Sequence, residues 1–311
     1  MDIFHLDAID GASIRLCRWL PADAPRGVLL ISHGLSEHGE RYVRFAERLC
    51  RAGFVVYAHD HRGHGPEAPV PGWFAATDGW ARLIDDLDRV RAFAVAQWPG
   101  LPLTLFGHSM GSFIARSYVQ RHGAGIDCLV LSATGYRQGA LARVMRGVAG
   151  VWGRVVGVQT PSRFMAKLVF GGFNLTFRPR RTVADWLSRD PAEVDRYLAD
   201  PLCAGLPTPG LWRDLFGGVR ELETGERLAA ARPGQLLPAC RVLLVAGSRD
   251  PVSLGTFGLG QLARRYRAAG VGLVDMRVYR GGRHEMHHET NREDYLDDLQ
   301  GWLTQHGALA A

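Results

Sequence analysis

The sequence has almost no lysine, no long apolar run and no metal-binding cysteine spacing. Lys167 is the only lysine among 37 basic residues, so the net charge of +6 and the pI of about 9.3 come from arginine. That skew is typical of codon usage, and no nucleic-acid-binding motif accompanies it, so we expect no nucleic-acid partner. No stretch of about eighteen apolar residues exists, so we expect no membrane-spanning helix.

The five cysteines are scattered, and no two of them form a Cys-x-x-Cys pair. An odd number of cysteines, mostly inside apolar runs, favours buried free thiols over a disulfide framework. The first residues show neither a basic segment nor an apolar core after it, so we expect no signal peptide. A cytoplasmic location is the expectation that follows.

What the chain does contain is an alternation of apolar strands and amphipathic helices. Residues 13–20 alternate like an edge strand, and continuous apolar runs predict buried strands at 27–32, 54–58, 101–106, 127–132, 241–246 and 274–279. Amphipathic helical patterns separate most of these runs, which is typical of an α/β fold with a mostly parallel central sheet and helices on both faces. The alternation stops in residues 135–235. We interpret that segment as an inserted helical cap on a core of residues 1–134 and 236–311.

The most informative stretch is Gly107-His108-Ser109-Met110-Gly111, which has the pattern Gly-x-Ser-x-Gly. A predicted strand precedes it, and apolar residues at helical spacing follow it from 110 to 122. In that setting the pattern forms a nucleophile elbow, where the serine occupies a strained turn and larger residues than glycine would collide with neighbouring chain. A glycine-rich turn with an incidental serine is the alternative, and the flanking elements argue against it. We therefore predict that Ser109 is a nucleophile.

A nucleophilic serine needs a histidine base and an acid that orients the base. In α/β-hydrolases the acid and then the histidine follow the serine along the chain, each in a loop at the carboxyl end of a strand. Asp250 follows the predicted strand at 241–246, and His284 follows the one at 274–279. Either residue alone would be read as a loop residue that caps a turn. Their joint placement predicts a triad of Ser109, His284 and Asp250.

The negative charge that develops on a reacting carbonyl oxygen requires two N–H donors, which form an oxyanion hole. The backbone of Met110, directly after the nucleophile, supplies one donor at a helix N-terminus. The second donor should come from the loop after an earlier strand. His33-Gly34-Leu35 occupies that position, and we assign the donor to the backbone of Leu35.

Two histidine-rich stretches resemble metal sites. His284-Glu285-Met286-His287-His288 matches the zinc-protease pattern H-E-x-x-H, which requires both histidines one turn apart on a helix and a third ligand. Gly281-Gly282, directly after a strand, argues against such a helix, and Asn291 stands where the longer zinc-protease pattern has glycine. We expect no metal and no cofactor in catalysis. A further group more simply shapes a strand-end loop: His59, His61 and His64.

Three motifs resemble one branch of the α/β-hydrolases. They are His33-Gly-Leu-Ser-Glu-His38 with the following Arg41-Tyr42, then Asp60-His-Arg-Gly-His-Gly65, and then Gly107-His-Ser-Met-Gly111. Ser112 departs from that branch, which usually has a second glycine there. The chain is similar, nearly throughout, to the monoacylglycerol lipase and lysophospholipase branch, and the resemblance implies hydrolysis of single-chain lipid esters without a cofactor. Segments of the predicted cap add support: Trp186–Asp190, Glu193–Asp195, Tyr197 and Asp200–Cys203.

The function that we predict is carboxylic ester hydrolysis through an acyl-enzyme on Ser109, with monoacylglycerols or lysophospholipids as substrates and no obligate protein partner. A general esterase or a proline-type aminopeptidase of the same fold is one alternative. The aminopeptidase should need an acidic patch for the substrate's free amine, and residues 135–184 contain no Asp or Glu. A non-catalytic ligand-binding protein is another alternative, but it would normally lack a triad member.

The start of the predicted cap is amphipathic and basic. Packing of its apolar face on the core is one interpretation, and contact of that face with acyl chains at a membrane surface is the other. Glycines at 147, 150 and 153 weaken the helix, which suits a mobile lid. We expect weak, salt-sensitive peripheral binding to anionic membranes. The apolar positions are Leu141, Val144, Met145, Val148, Trp152 and Val155, and the basic ones are Arg143, Arg146 and Arg154.

Overall fold

The computed structural model describes residues 1–123, 125–136, 139–203, 205–230 and 240–310. Its centre is one sheet of eight strands. These are β1 (Asp2–Asp7), β2 (Ser13–Trp19), β3 (Gly27–Ser32), β4 (Phe54–His59), β5 (Leu103–His108), β6 (Cys128–Ser132), β7 (Arg241–Gly247) and β8 (Leu273–Tyr279). The helices are α1 (Val43–Arg51), α2 (Gly79–Gln97), α3 (Met110–His122), α4 (Gly139–Val156), α5 (Arg163–Phe170), α6 (Pro191–Ala199), α7 (Pro209–Ala230), α8 (Gly255–Ala268) and α9 (Arg292–Gln305), with 3-10 turns at Gly39–Tyr42 and Met286–His288.

The strands lie in the order β1-β2-β4-β3-β5-β6-β7-β8, and only the two pairings of β2 are antiparallel. The predicted parallel sheet is therefore confirmed, with one correction. Residues 13–20 were expected to form an edge strand, but β2 lies between β1 and β4. The cause is β1, which was not predicted and which pairs with the outer side of β2. Arg15 of β2 has a position in the alternation that suggests solvent exposure. It is buried instead, and its guanidinium donates to Asp60 at 2.9 Å.

Alternate strand residues point into two apolar clusters, one on each face of the sheet. Val28 and Leu30 of β3 pack in the larger cluster with α2, α3 and α8, whereas Leu29 and Ile31 pack in the other cluster with α1 and α9. A strand that is buried on both faces must be apolar at every position, which is why continuous apolar runs identify these strands. The prediction of helices on both faces is confirmed.

The described part of residues 135–235 contributes four helices, α4 to α7, and no strand. Helix α4 packs along α7, and its residues Ala142, Met145 and Ala149 face the larger core cluster. The predicted boundary between 235 and 236 lies outside the described residues. In the described ranges, no helix is both long and apolar enough to span a membrane.

A buried ion pair joins the helix after Ser109 to this segment. Arg116 of α3 donates to Glu226 of α7 through Nε at 2.9 Å and Nη2 at 2.8 Å, and both side chains are 0% exposed. Nη1 of Arg116 donates to the carbonyl of Gly135 at 2.7 Å, and Tyr266 of α8 donates to Glu226 at 3.1 Å. Removal of either residue would break the two bonds between Arg116 and Glu226 and leave a buried charge incompletely paired, so the network holds α3, α7 and α8 together.

The close packing of α3 beneath β3 predicts opposite effects for two glycines in helices. A methyl group on Gly111 would overlap the carbonyl of Ser32, whereas one on Gly150 of α4 meets no atom within 4 Å. We expect Gly111→Ala to destabilise the fold by about 3 kcal/mol or more, since the clash is with backbone. Gly150→Ala should stabilise it by about 0.5–1 kcal/mol. Urea unfolding followed by circular dichroism measures both, and wild-type stability of Gly111→Ala would contradict the close approach.

Candidate active site

The turn between β5 and α3 holds Ser109 in a strained backbone conformation. Its φ is 50° and its ψ is −118°, a region that residues with side chains rarely adopt. The turn closes tightly, because a Cβ on Gly107 would lie 2.6 Å from the carbonyl oxygen of Gly111. The predicted need for glycine at positions 107 and 111 therefore has a steric basis. His108, between them, is buried at the end of β5.

Two hydrogen bonds connect Ser109, His284 and Asp250. His284 Nε2 lies 2.9 Å from Ser109 Oγ, and His284 Nδ1 lies 2.7 Å from Asp250 Oδ1. An ionised carboxylate only accepts hydrogen bonds, so Nδ1 carries the proton and Nε2 is left to accept from the serine hydroxyl. The three residues come from the carboxyl ends of β5, β7 and β8, as the sequence pattern predicted.

The Asp250 carboxylate is held in its charged form although it is buried. Burial raises its pKa, but His284 and hydrogen bonds from Val252 and Ser253 lower it, and the net result is a pKa below the usual value. The backbone N–H groups of Val252 and Ser253 donate to its oxygens at 3.0 and 3.2 Å. A charged acid in this position orients the imidazole and stabilises it when it is protonated.

The loop after β3 lies directly against the serine. A Cβ on Gly34 would be 3.3 Å from Ser109 Cβ, so the next residue, Leu35, begins beside the nucleophile. Met110 follows Ser109 as the first residue of α3, where backbone N–H groups have no partner within the helix. The two residues assigned to the oxyanion hole thus both adjoin Ser109.

His33 fixes this loop through a defined tautomer. Its Nε2 accepts from the backbone N–H of His61 at 3.0 Å, so Nδ1 must carry the proton and donates to the carbonyl of Gly34 at 2.7 Å. Burial lowers the pKa of His33 well below its usual value. His61 in turn lies 3.0 Å from the hydroxyl of Ser32. Of the histidines that were predicted to shape a strand-end loop, His61 contacts the end of β3 and His33 directly, and the rings of His59 and His64 pack against His61 and His33.

A second set of contacts links that loop to the one that carries His284. Arg41 donates to Glu285 through two bonds of 2.8 and 2.9 Å and to Glu37 at 2.8 Å. Glu37 also accepts from the backbone N–H of Gly34 and, at 2.9 Å, from Tyr42. Glu37, Arg41 and Tyr42 lie in a motif that carries the family resemblance, but nothing in the sequence reveals that Arg41 pairs with a residue 244 positions away.

Trp186 was also missed as a neighbour of the site. Its ring centroid lies 4.7 Å from that of His284, and its carbonyl accepts from the backbone N–H of His284 at 3.3 Å. The 135–235 segment thus contacts the histidine directly. Ser112, the departure noted above, donates its buried hydroxyl to the carbonyl of Ser109 at 2.6 Å.

The residues of the H-E-x-x-H pattern do not face one another. His284 and Met286–His288 lie in a loop and a 3-10 turn rather than in an α-helix. Both ring nitrogens of His284 are engaged by Ser109 and Asp250, whereas Nδ1 of His288 lies 3.3 Å from Arg44. This geometry does not fit a zinc-protease site.

These observations define the class of protein. A mostly parallel eight-stranded sheet, a serine on a strained strand-to-helix turn, and a histidine and an aspartate from later strand ends are the features of the α/β-hydrolase fold. The chain belongs to the family described as serine aminopeptidase, S33, which matches residues 23–291.

Three similar proteins show which members of that family the chain resembles. The chain is 30% identical to a monoacylglycerol lipase of Mycolicibacterium smegmatis, over 96% of this chain and 95% of that protein. It is 28% identical to the human monoglyceride lipase, over 99% and 92% of the two chains. A crystal structure of a thermostable carboxyl esterase from Bacillus coagulans, in complex with glycerol, matches with a TM-score of 0.86 and 27% identity over 98% of each chain. This chain is thus a monoacylglycerol lipase-like hydrolase, a class of carboxylic ester hydrolases.

The buried histidines predict acid sensitivity of the fold. Burial lowers the pKa of His59 to about 4, so the folded protein keeps this ring neutral while the unfolded chain protonates it below its ordinary pKa of 6.5. Stability should therefore fall as the pH falls through this window, by about 2 kcal/mol per such histidine between pH 6.5 and 5. Urea unfolding at pH 7.5 and 5.0 measures the loss.

Two variants test the cause of this sensitivity. His59→Phe should show a smaller loss of stability between the two pH values, because one buried titratable ring is gone. His122→Gln, at an exposed position, should behave as wild type. An unchanged pH dependence in His59→Phe would contradict the assignment.

Proposed function

We propose that the protein hydrolyses carboxylic esters through an acyl-enzyme on Ser109. The hydrogen-bond chain from Ser109 through His284 to Asp250 is the observation that carries this proposal. His284 removes the hydroxyl proton as Ser109 attacks the ester carbonyl, and it then gives that proton to the departing alcohol. A water molecule, deprotonated by the same histidine, releases the acid and regenerates the serine.

The backbone N–H groups of Leu35 and Met110 stabilise the oxyanion in this proposal. The position of Gly34 against Ser109 supports the assignment of Leu35, and the start of α3 at Met110 supports the other donor. The loss of one such donor typically costs about 3–4 kcal/mol of transition-state stabilisation. The bonds of Arg41 with Glu37 and Glu285 hold the oxyanion loop and the histidine loop at a fixed separation.

The substrate that we propose is a single-chain lipid ester such as a monoacylglycerol or a lysophospholipid. The names of the two monoacylglycerol lipase relatives support this class. So does a series of half-buried apolar side chains that border the larger core cluster and come from the oxyanion loop, α4, α5 and α7: Leu35, Val148, Trp152, Val169, Phe170 and Phe216. An acyl chain needs apolar surface of this kind to pack against, because burial of each methylene contributes about 0.8 kcal/mol. In this proposal, residues 135–235 form the cap over the site.

The family description makes an aminopeptidase the relevant rival. A free α-amine would need an unpaired carboxylate near Ser109. The acidic side chains beside the oxyanion loop are already used, since Glu37 and Glu285 both pair with Arg41, and Asp200 pairs with His38. We therefore favour the ester over the peptide, and a proline p-nitroanilide serves as the comparison substrate.

The proposed triad predicts how activity responds to mutation. We expect Ser109→Ala and His284→Ala each to reduce hydrolysis of p-nitrophenyl esters by at least about 1,000-fold, and the double variant to be little worse, because the residues act as a unit. Thermal unfolding of each variant checks that the fold is kept. Turnover near the wild-type rate in either single variant would refute the assignment.

Inhibitors separate serine chemistry from metal chemistry. A serine-directed fluorophosphonate should abolish activity and label Ser109, whereas exhaustive chelation should leave ester hydrolysis intact. His288→Ala should be far milder than His284→Ala. Loss of activity on chelation, restored by zinc, would favour a metal mechanism, and faster cleavage of the proline anilide than of any ester would favour the aminopeptidase.

We propose further that the cap contacts anionic membranes through α4. The predicted single apolar face of this helix is divided in the structure: Met145 is buried towards α7, whereas Leu141, Val144 and Val155 are 62%, 62% and 70% exposed. The interpretation that the whole stripe packs on the core is therefore wrong for these three residues. Exposed basic residues lie beside them, and residues 135–184 contain no acid to oppose an anionic surface.

The membrane proposal predicts salt-sensitive binding that depends on three arginines. Wild type should co-sediment with anionic vesicles at low salt, less at high salt, and little with neutral vesicles, because each basic side chain near such a surface contributes about 1 kcal/mol before screening. Replacement of Arg143, Arg146 and Arg154 by Gln should abolish binding. The control replaces three exposed arginines elsewhere and should bind as wild type: Arg51, Arg89 and Arg264. Equal binding by both triple variants would refute the role of α4.

A further inference from the structure

One group of potential metal ligands lies beside the oxyanion loop and includes the His38–Asp200 pair, which has no catalytic role in the proposals above. Nε2 of His38, four residues after Gly34, lies 2.9 Å from Oδ2 of Asp200. The thiol of Cys203 completes the group, and the three ligand atoms lie within 4.8 Å of one another. Cys203 is fully buried and His38 is 6% exposed. Among the described residues this is the one cluster of three or more such side chains with metal-ligand spacing.

Asp200 and Cys203 are held on a single tight turn. The N–H of Cys203 donates to the carbonyl of Asp200 at 3.0 Å, which closes the turn between α6 and α7. Oδ1 of Asp200 accepts from the N–H of Leu202 at 2.9 Å, so the remaining oxygen faces His38. A ligand pair three residues apart on a turn, joined by a third ligand from a distant segment, is the arrangement of many protein zinc sites.

The surrounding charges favour a cation. Within this part of the structure the carboxylates of Glu37 and Glu285 share the single guanidinium of Arg41. Asp200 adds a further carboxylate, whose Oδ2 lies beside the imidazole of His38. His38 also has a buried Nδ1 atom with no hydrogen-bond partner, so the ring is incompletely satisfied as it stands. A divalent cation would neutralise the excess negative charge.

We propose that His38, Asp200 and Cys203 bind a zinc-type divalent cation, which ties the oxyanion loop to the turn at 200–203. Tetrahedral zinc holds its N, O and S ligands at about 2.0–2.3 Å, so neighbouring ligand atoms lie about 3.4 Å apart. The three ligand atoms already lie within 4.8 Å of one another, so adjustments of the side chains alone would bring them to that spacing. A water molecule would occupy the fourth position.

Binding exchanges one proton for the metal. The S–H bond of Cys203 breaks as the Zn–S bond forms, and the proton passes to the solvent. Nε2 of His38 donates its proton to the Asp200 carboxylate in the present hydrogen bond. On metal binding Nε2 gives up that proton and the ring takes one up at Nδ1, so that Nε2 and Asp200 Oδ2 each form a bond to the metal. The site is separate from the proposed triad, and this inference holds whether or not the ester activity is correct.

Direct metal binding tests the proposal without reference to activity. Tag-free protein is titrated with Zn²⁺ against a chromophoric chelator and, separately, with Co²⁺, whose thiolate complexes absorb in the near ultraviolet. We expect one equivalent of Zn²⁺ to bind, the cobalt–thiolate band to appear, and Zn²⁺ to raise the unfolding temperature. Cys203→Ser, His38→Gln and Asp200→Asn should each weaken Zn²⁺ binding by more than about 10-fold and abolish or diminish the band.

Two controls are needed: one for the loss of any buried cysteine and one for the loss of the fold. Cys50→Ser removes another buried free cysteine, distant in sequence from the cluster, and should bind as wild type. Unfolding curves without metal show whether each variant is folded, and Asp200→Asn, at a partly exposed position, provides a folded test if Cys203→Ser does not fold. The proposal is overturned if wild type binds no Zn²⁺, if no cobalt–thiolate band forms, or if folded Asp200→Asn and His38→Gln bind as tightly as wild type.

Discussion

The close contact of α3 with the end of β3 is the constraint on which the rest of the site depends. Gly111 abuts the carbonyl of Ser32, and this contact leaves room for no side chain. The chain can enter α3 at that depth only through the strained turn that presents Ser109. Because β5, β7 and β8 are parallel, the loops that carry Asp250 and His284 emerge at the same edge of the sheet as the turn. The hydrogen-bond chain from Ser109 to Asp250 thus depends on the parallel direction of three strands and on the contact between Gly111 and Ser32.

Buried polar groups then fix the loops around this edge. His33 holds its own loop through one tautomer, and Arg41 connects that loop to Glu285 beside the histidine. In each of these contacts a donor is paired with an acceptor, and such bonds are strong in a low-dielectric interior. The two loops are therefore held rigidly. A preorganised site of this kind needs little rearrangement when negative charge develops on a bound carbonyl. Stiffness here is compatible with greater freedom in α4, whose outer face has no covering element among the described residues.

The sequence allowed the parallel sheet, the turn at Ser109 and the positions of Asp250 and His284 to be predicted, because each depends on local pattern and on chain order. It did not reveal features that depend on distant partners. Residues 13–20 were placed at the edge from their alternation alone, because nothing in the sequence showed that residues 2–7 would pair with them or that Arg15 would meet Asp60, 45 residues away. The pairing of Arg41 with Glu285 has no local signal at all. Helix α4 was given one apolar face because periodicity cannot distinguish a surface packed on α7 from an adjacent one left open.

Helix α7 is held to the core near both ends, and this limits how the helices of the predicted cap can move relative to Ser109. Just before it, the N–H of Thr208 donates to the carbonyl of Gly72 at 2.9 Å, and towards its end Glu226 is locked to Arg116. A helix that is held to the core near both ends cannot rotate as a rigid body about one end. Any movement of the predicted cap relative to the sheet therefore has to leave α7 in place, and α4, whose outer side chains are exposed, is free to move only along the surface that α7 offers it.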